Sequence, residues 1–164
     1  MAEGNRAVKA AASALGLGYL PVAPGTWASA GAAAAYYGLR ALGDPLSYAL
    51  LAMLTLLVLA LGVGVCPRAM LVYGSKDPRT FVLDEVAGCW LTCLIFQWRG
   101  PAETAVAAFV AFRFFDVLKP PPIRRLERIP GAWGVMADDL AAALYAAASL
   151  YLVCYGVIDQ LAGG

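Results

Sequence analysis

The sequence predicts an all-α fold: a polytopic membrane bundle of about five helices, some of them short, with a polar site at the cytoplasmic helix ends. Three observations carry this. The 164 residues are 62% hydrophobic with a mean hydropathy of +0.71, more apolar surface than a water-soluble domain of this size covers by itself. Two segments, Leu46–Cys66 and Leu140–Ile158, hold no charged residue, and a run of roughly 20 apolar positions is what a helix needs to cross the hydrocarbon layer. The polar residues that remain gather at the ends of apolar segments instead of spreading along them.

Taken in order, the chain begins with Glu3, Arg6 and Lys9 and an Ala/Gly-rich stretch. It has neither the apolar core nor the cleavage site of a signal peptide, so the N-terminus is expected to stay in the cytoplasm. Trp27–Leu42 is a first short apolar segment, followed by the long Leu46–Cys66. Val86–Trp98 and Thr104–Leu118 are again short, the latter interrupted by Arg113 and Asp116. Leu140–Ile158 closes the set, with Tyr145, Tyr151 and Tyr155 placed to face neighbouring helices or the interface. The short segments become spans only when packed against the two long ones, because backbone polar groups in lipid need internal partners and charges must face the bundle interior. Small residues in Ser29–Ala35 and Ala141–Ala148 let helices approach closely. The whole chain, 1–164, reads as one domain.

Five helices from a cytoplasmic N-terminus put Arg6, Lys9, Arg68, Lys76, Arg79, Lys119, Arg124, Arg125 and Arg128 inside, against Arg40 and Arg99 outside, as the positive-inside rule requires. The same topology brings four polar groups to the cytoplasmic face: the loop Gly16–Gly25, the stretch Lys76–Glu85, Asp116 with Lys119, and Asp138 with Asp139. They were not used to choose it.

Composition narrows the chemistry. A net charge of +1 gives no basic field for nucleic acid. Cys66, Cys89, Cys93 and Cys154 form no CxxC pair and read as small buried hydrophobes. With no histidine, proton transfer falls to Asp, Glu, Lys, Tyr or water, and hard, oxygen-coordinated metals are favoured. The sequence has no phosphate-binding Gly-Lys-Ser/Thr loop, serine nucleophile elbow or cysteine-phosphatase motif.

Asp84, Glu85, Asp138 and Asp139 stand as two pairs at expected helix starts, where carboxylates either cap free N–H groups or hold a cation such as Mg2+. Neighbours on a helix diverge by about 100 degrees, so one of each pair is expected to be a ligand and the other a cap or support. Asp116 follows two phenylalanines and needs a partner or a wet cavity. Arg113, one turn earlier, can pair with it; in the alternative reading Asp116 joins a metal cluster while Arg113 and Lys119 face phosphate oxygens. The loop Pro21–Thr26 could receive an anion on its backbone N–H groups and the Thr26 hydroxyl, and an ordinary turn explains it equally. The basic, proline-rich run Lys119–Arg128, including Arg124, could hold an anionic headgroup or simply set orientation.

Read in order, the blocks Pro-Val-Ala-Pro-Gly-Thr at 21–26, Asp-Pro at 77–78, Asp-Glu-Val-Ala-Gly at 84–88, Phe-Arg-Phe-Phe-Asp-Val-Leu-Lys-Pro at 112–120 and Gly-Val-Met-Ala-Asp-Asp at 134–139 resemble the phosphatidylglycerophosphatase A family of bacterial lipid phosphatases. The resemblance implies a Mg2+-dependent hydrolase that converts phosphatidylglycerophosphate to phosphatidylglycerol at the inner leaflet of the bacterial plasma membrane. On that reading Asp84, Glu85, Asp116, Asp138 and Asp139 supply the metal site and the catalysis, and Thr26, Arg113, Lys119 and Arg124 meet the lipid phosphate. Water and an aspartate both remain candidate nucleophiles. The chain departs from the family at Gly16-Leu17-Gly18-Tyr19 and in the alanines after Asp139. Rival readings are a phosphatase for another lipid phosphate such as phosphatidate, a transporter bundle, and a non-catalytic scaffold.

Overall fold

The computed structural model describes residues 2–158. Its helices are α1 (Ala2–Ala12), α2 (Pro24–Leu39), α3 (Leu46–Tyr73), α4 (Leu83–Ile95), α5 (Pro101–Leu118), the single turn α6 (Ile123–Leu126) and α7 (Ala132–Leu150). A wider π-helical stretch, Tyr151–Ile158, continues α7. No strand occurs among the described residues, so the all-α expectation holds.

Among the described residues seven α-helices stand where about five were expected. The additional ones are α1, which carries Arg6 and Lys9, and α6, a single turn holding Arg124 and Arg125. Helix α1 forms because one face has somewhere to go: Ala12 is fully buried, and Ala12 with Val8 packs against α3. The boundaries shift too. Helix α3 runs through Pro67 to Tyr73 and stops at Gly74, whose φ of +65° suits glycine. Its last turns gain a core from Ala69 and Met70 against Ala12, Phe81 and Leu83. Helices α2 and α5 open on Pro24 and Pro101, where a missing N–H costs nothing.

The largest correction is at α7. It begins at Ala132, so Asp138 and Asp139 lie in its second turn, not at a helix start, and a capping role is excluded for them. Gly134 makes the early start possible, since a Cβ there would lie 1.8 Å from the Ile129 carbonyl oxygen.

The 13-residue α4 is the centre of the bundle, packed by α2, α3, α5 and α7. Its neighbours approach closely because they present alanines: Ala28, Ala32 and Ala33 from α2, Ala105 and Ala108 from α5, Ala142, Ala143 and Ala146 from α7. At Gly88 the contact is tighter still, with a Cβ calculated to sit 2.4 Å from the Phe112 ring. Trp90 donates from its indole N–H to the Ala32 carbonyl at 2.8 Å, tying α4 to α2. Two helical stretches, Leu46–Tyr73 and Ala132–Val157, are long and apolar enough to cross a bilayer. They expose large apolar side chains such as Leu56, Leu57, Leu144 and Leu152.

Consecutive long helices alternate in direction. The starts of α2, α4 and α7 and the ends of α3 and α5 therefore share one end of the bundle. A neutral network ties the other end. Tyr36 and Tyr48 donate to Gln97 Oε1 at 2.9 and 2.7 Å, Tyr151 donates to the Ile95 carbonyl at 2.6 Å, and Thr104 bonds the Trp98 backbone.

Candidate active site

Five helix ends and two loops enclose a cavity of about 760 Å³, within the range of small-molecule sites. Asp84 and Glu85 enter from the first turn of α4. One oxygen of Asp84 accepts the Glu85 backbone N–H at 3.0 Å, a local bond that leaves its carboxylate otherwise available. Glu85 Oε2 is buried and has no hydrogen-bond partner. Asp139, from α7, completes the group: Asp84, Glu85 and Asp139 each offer an oxygen within 4.8 Å of the others. The carboxylates of Asp84 and Glu85, neighbours in sequence, thus share one place.

The carboxylates of the second pair part company. Asp138 turns away from the group and accepts from Lys119 Nζ at 2.6 Å, while its other oxygen is buried without a partner. Lys119 occupies a left-handed position that ends α5, φ +43°, and donates also to Glu127 at 2.7 Å. Asp116 is ion-paired with Arg113 one turn earlier, the simpler of its two sequence readings. Both still line the cavity.

Electrostatics follow from this packing. Burial pushes the Asp84 carboxyl well above the ordinary range, and the adjacent Glu85 charge pushes it further. Burial likewise raises Glu85. Lys119 loses something to burial, but its hydrogen bonds to Asp138 and Glu127 outweigh that and hold it above an ordinary lysine, so it stays charged. Three carboxylates in near contact, two of them held up in this way, are a site short of positive charge. The donor set is oxygen only, and Glu85, one of its members, has a buried oxygen without a hydrogen-bond partner. A hard divalent cation fits that arrangement.

Of the remaining expected contacts, Thr26 and Arg124 do not reach the cavity. The Thr26 N–H is bonded to the Ala23 carbonyl at 2.9 Å, and it is Ala23, Pro24 and Gly25 that form the wall. Arg124 is exposed on α6. Lys76, Asp77, Arg79, Glu127 and Arg128 also line the cavity, and all lie within the two stretches, Lys76–Glu85 and Lys119–Arg128, that the sequence sets at this face. Asp77 has a further signal in the Asp-Pro block at 77–78; which other residues of the two stretches face the opening depends on how the loops fold over it.

The fold and the site define a class: an all-α protein rich in apolar surface, with a cation-ready carboxylate pocket edged by basic groups at one end of its bundle. The family follows from likeness in sequence. The chain belongs to the phosphatidylglycerophosphatase A family of phosphatases, whose model matches residues 10–154. It is 34% identical over 150 residues to a phosphatidylglycerophosphatase A of Haemophilus influenzae, covering 87% of this chain and 86% of the relative. A phosphatidylglycerophosphatase A of Escherichia coli K12 is 33% identical over 144 residues, 84% of this chain and 78% of the relative. A protein of Bacteroides thetaiotaomicron, provisionally described as a phosphatidylinositol-3-phosphatase, is 34% identical over 140 residues, 79% of this chain and 82% of the relative. No solved structure matches the chain.

Proposed function

We propose that this protein is a Mg2+-dependent, multi-pass membrane phosphatase that hydrolyses the phosphomonoester of phosphatidylglycerophosphate, releasing phosphatidylglycerol and phosphate on the cytoplasmic side of the bacterial plasma membrane. The observation that carries the reading is the grouping of Asp84, Glu85 and Asp139 in one cavity with Arg113 and Lys119. Two relatives that align along most of this chain bear that activity in their names.

Asp84, Glu85 and Asp139 would hold the cation. When bound it supplies positive charge against the phosphoryl oxygens and makes water a stronger acid. Arg113 and Lys119, already fixed by Asp116 and Asp138, would face the equatorial oxygens as charge builds there. Asp138 keeps one oxygen without a partner, which suits it to accept the proton of the attacking water as the bond from phosphorus to the glycerol oxygen breaks. Orientation rests on charge: Arg68, Lys76, Arg79, Lys119, Arg125 and Arg128 belong to the carboxylate end, and Arg40 and Arg99 to the other.

The test is phosphate release by the purified protein in detergent, with Mg2+ and with chelator, beside Asp84→Asn and Asp139→Asn. Release that requires Mg2+ and is lost in both variants supports the reading. A folded wild type that releases no phosphate under any metal refutes it. Because the Bacteroides relative is as similar as the others and carries a different substrate in its description, phosphatidylinositol 3-phosphate belongs in the same assay.

A further inference from the structure

The cavity holds more positive charge than its floor employs. Arg113 is paired with Asp116, and Lys119 with Asp138 and Glu127. Lys76 and Arg79, between α3 and α4, and Arg128, between α6 and α7, also line it, and none of the three makes an ion pair among the described residues. All three are exposed, whereas Asp84, Asp138 and Asp139 are buried, so the acids form the floor and the free cations the mouth. Asp77 shares the first loop but does not pair with either neighbour; its backbone N–H and carbonyl bond the Ser75 hydroxyl.

Cations from two separate loops facing an acidic cavity would be expected to turn inward and pair with it. Here they stay apart, leaving a positive rim above a negative floor. A ligand matched to this polarity offers an anion to the rim as well as to the cation-loaded floor. We propose that Lys76, Arg79 and Arg128 form an outer subsite for a second phosphate, the phosphodiester that joins headgroup to diacylglycerol, and thereby select lipids that carry both a phosphodiester and a terminal phosphomonoester.

This rests on the phosphatase reading above and adds what decides its substrate. Phosphatidate, whose single phosphate must occupy the floor, leaves the rim empty and three cations without a partner. A phosphorylated glycerol or inositol on a phosphodiester fills both. The preference is therefore a matter of the number of phosphates and their separation, not of the alcohol between them.

The experiment measures kcat/KM for phosphatidylglycerophosphate and for phosphatidate in mixed micelles of equal surface concentration. It compares wild type, Lys76→Gln, Arg79→Gln, Arg128→Gln and the triple variant, with Arg125→Gln as a control for surface charge. Wild type should favour the two-phosphate lipid, and each rim substitution should lower that ratio by roughly tenfold, the size of one lost charge-assisted hydrogen bond, chiefly through KM. Arg125→Gln should leave the ratio where it was. Equal turnover of both lipids by wild type, or a ratio unmoved in the triple variant, overturns the subsite and leaves the phosphatase intact. Release from neither lipid removes the phosphatase reading, and the subsite with it.

Discussion

Replacing Gly25 with alanine isolates the position of one carboxylate from its identity. A Cβ at residue 25 would lie 2.1 Å from Glu85 Oε1, 2.9 Å from Glu85 Cδ and 3.1 Å from Arg113 Nη1, where ordinary contact begins near 3.4 Å. The α2 backbone is held from behind, with Ser29 Oγ donating to the Gly25 carbonyl at 2.8 Å, so Glu85 is the group that must give way. Relieving the overlap withdraws its carboxylate by about 1 Å or more, a displacement that costs a positioned catalytic group on the order of a hundredfold. The fold should not suffer equally, because alanine is favoured over glycine within a helix by up to about 1 kcal/mol. Phosphate release is measured across a Mg2+ titration, with thermal unfolding followed by tryptophan fluorescence. The expected result is a large loss of activity and a raised Mg2+ requirement at nearly unchanged melting temperature. Gly64→Ala, where a Cβ meets nothing within 4 Å, is the control. Activity and Mg2+ half-saturation of Gly25→Ala within about twofold of wild type would refute the reasoning, since ligand support of this kind is worth tenfold or more.

Lys119→Met leaves Asp138 and Glu127 without their shared partner and should cost about 2 kcal/mol of stability in denaturant unfolding; adding Asp138→Asn should recover part of that but no activity. Gln97→Leu strands the Tyr36 and Tyr48 hydroxyls at the far end and should lower stability by about 1–3 kcal/mol while the surviving folded fraction keeps wild-type turnover per molecule. With Asp84 and Glu85 held above the ordinary carboxylate range, the folded state retains protons that the unfolded chain releases. In chelator, stability should therefore fall as pH rises from the ordinary carboxylate range through those raised values, and saturating Mg2+ should flatten the curve. A pH profile identical with and without Mg2+ would contradict the cation assignment.

The sequence made the long elements plain because uncharged runs of helical length have few other uses; one lies in α3 and the other runs from α7 into its π-helical continuation. It hid their ends. Asp138 and Asp139 interrupt hydropathy and so look like a boundary, although helical geometry is indifferent to charge once a cavity receives it, and α7 starts six residues earlier. The acidic positions were legible as residue types at polar junctions. Which of them would group was not: it depends on the rotation of α4 against α7, set by the close passage of Phe112 and the Asp139 backbone over Gly88. Thr26 was a reasonable candidate by type, but the cavity wall is made by the backbone just before it. Residues on loops, such as Arg79 and Arg128, acquire a place only when two segments far apart in sequence fold over one opening.

The tie at Gln97 has a mechanical consequence. Around Gln97 the tie is made by neutral donors and acceptors, indifferent to salt, chelators and moderate pH, beside the Arg40–Asp44 ion pair. At the carboxylate end the Lys119–Asp138 ion pair joins the end of α5 to α7, and three carboxylates lie in near contact beside it. The two ends therefore differ in what would loosen them: charge at the carboxylate end, loss of the Gln97 bonds at the other. With Mg2+ added, amide exchange should slow at the first turns of α4 and α7 while the Tyr36–Gln97 end keeps its own steady rate.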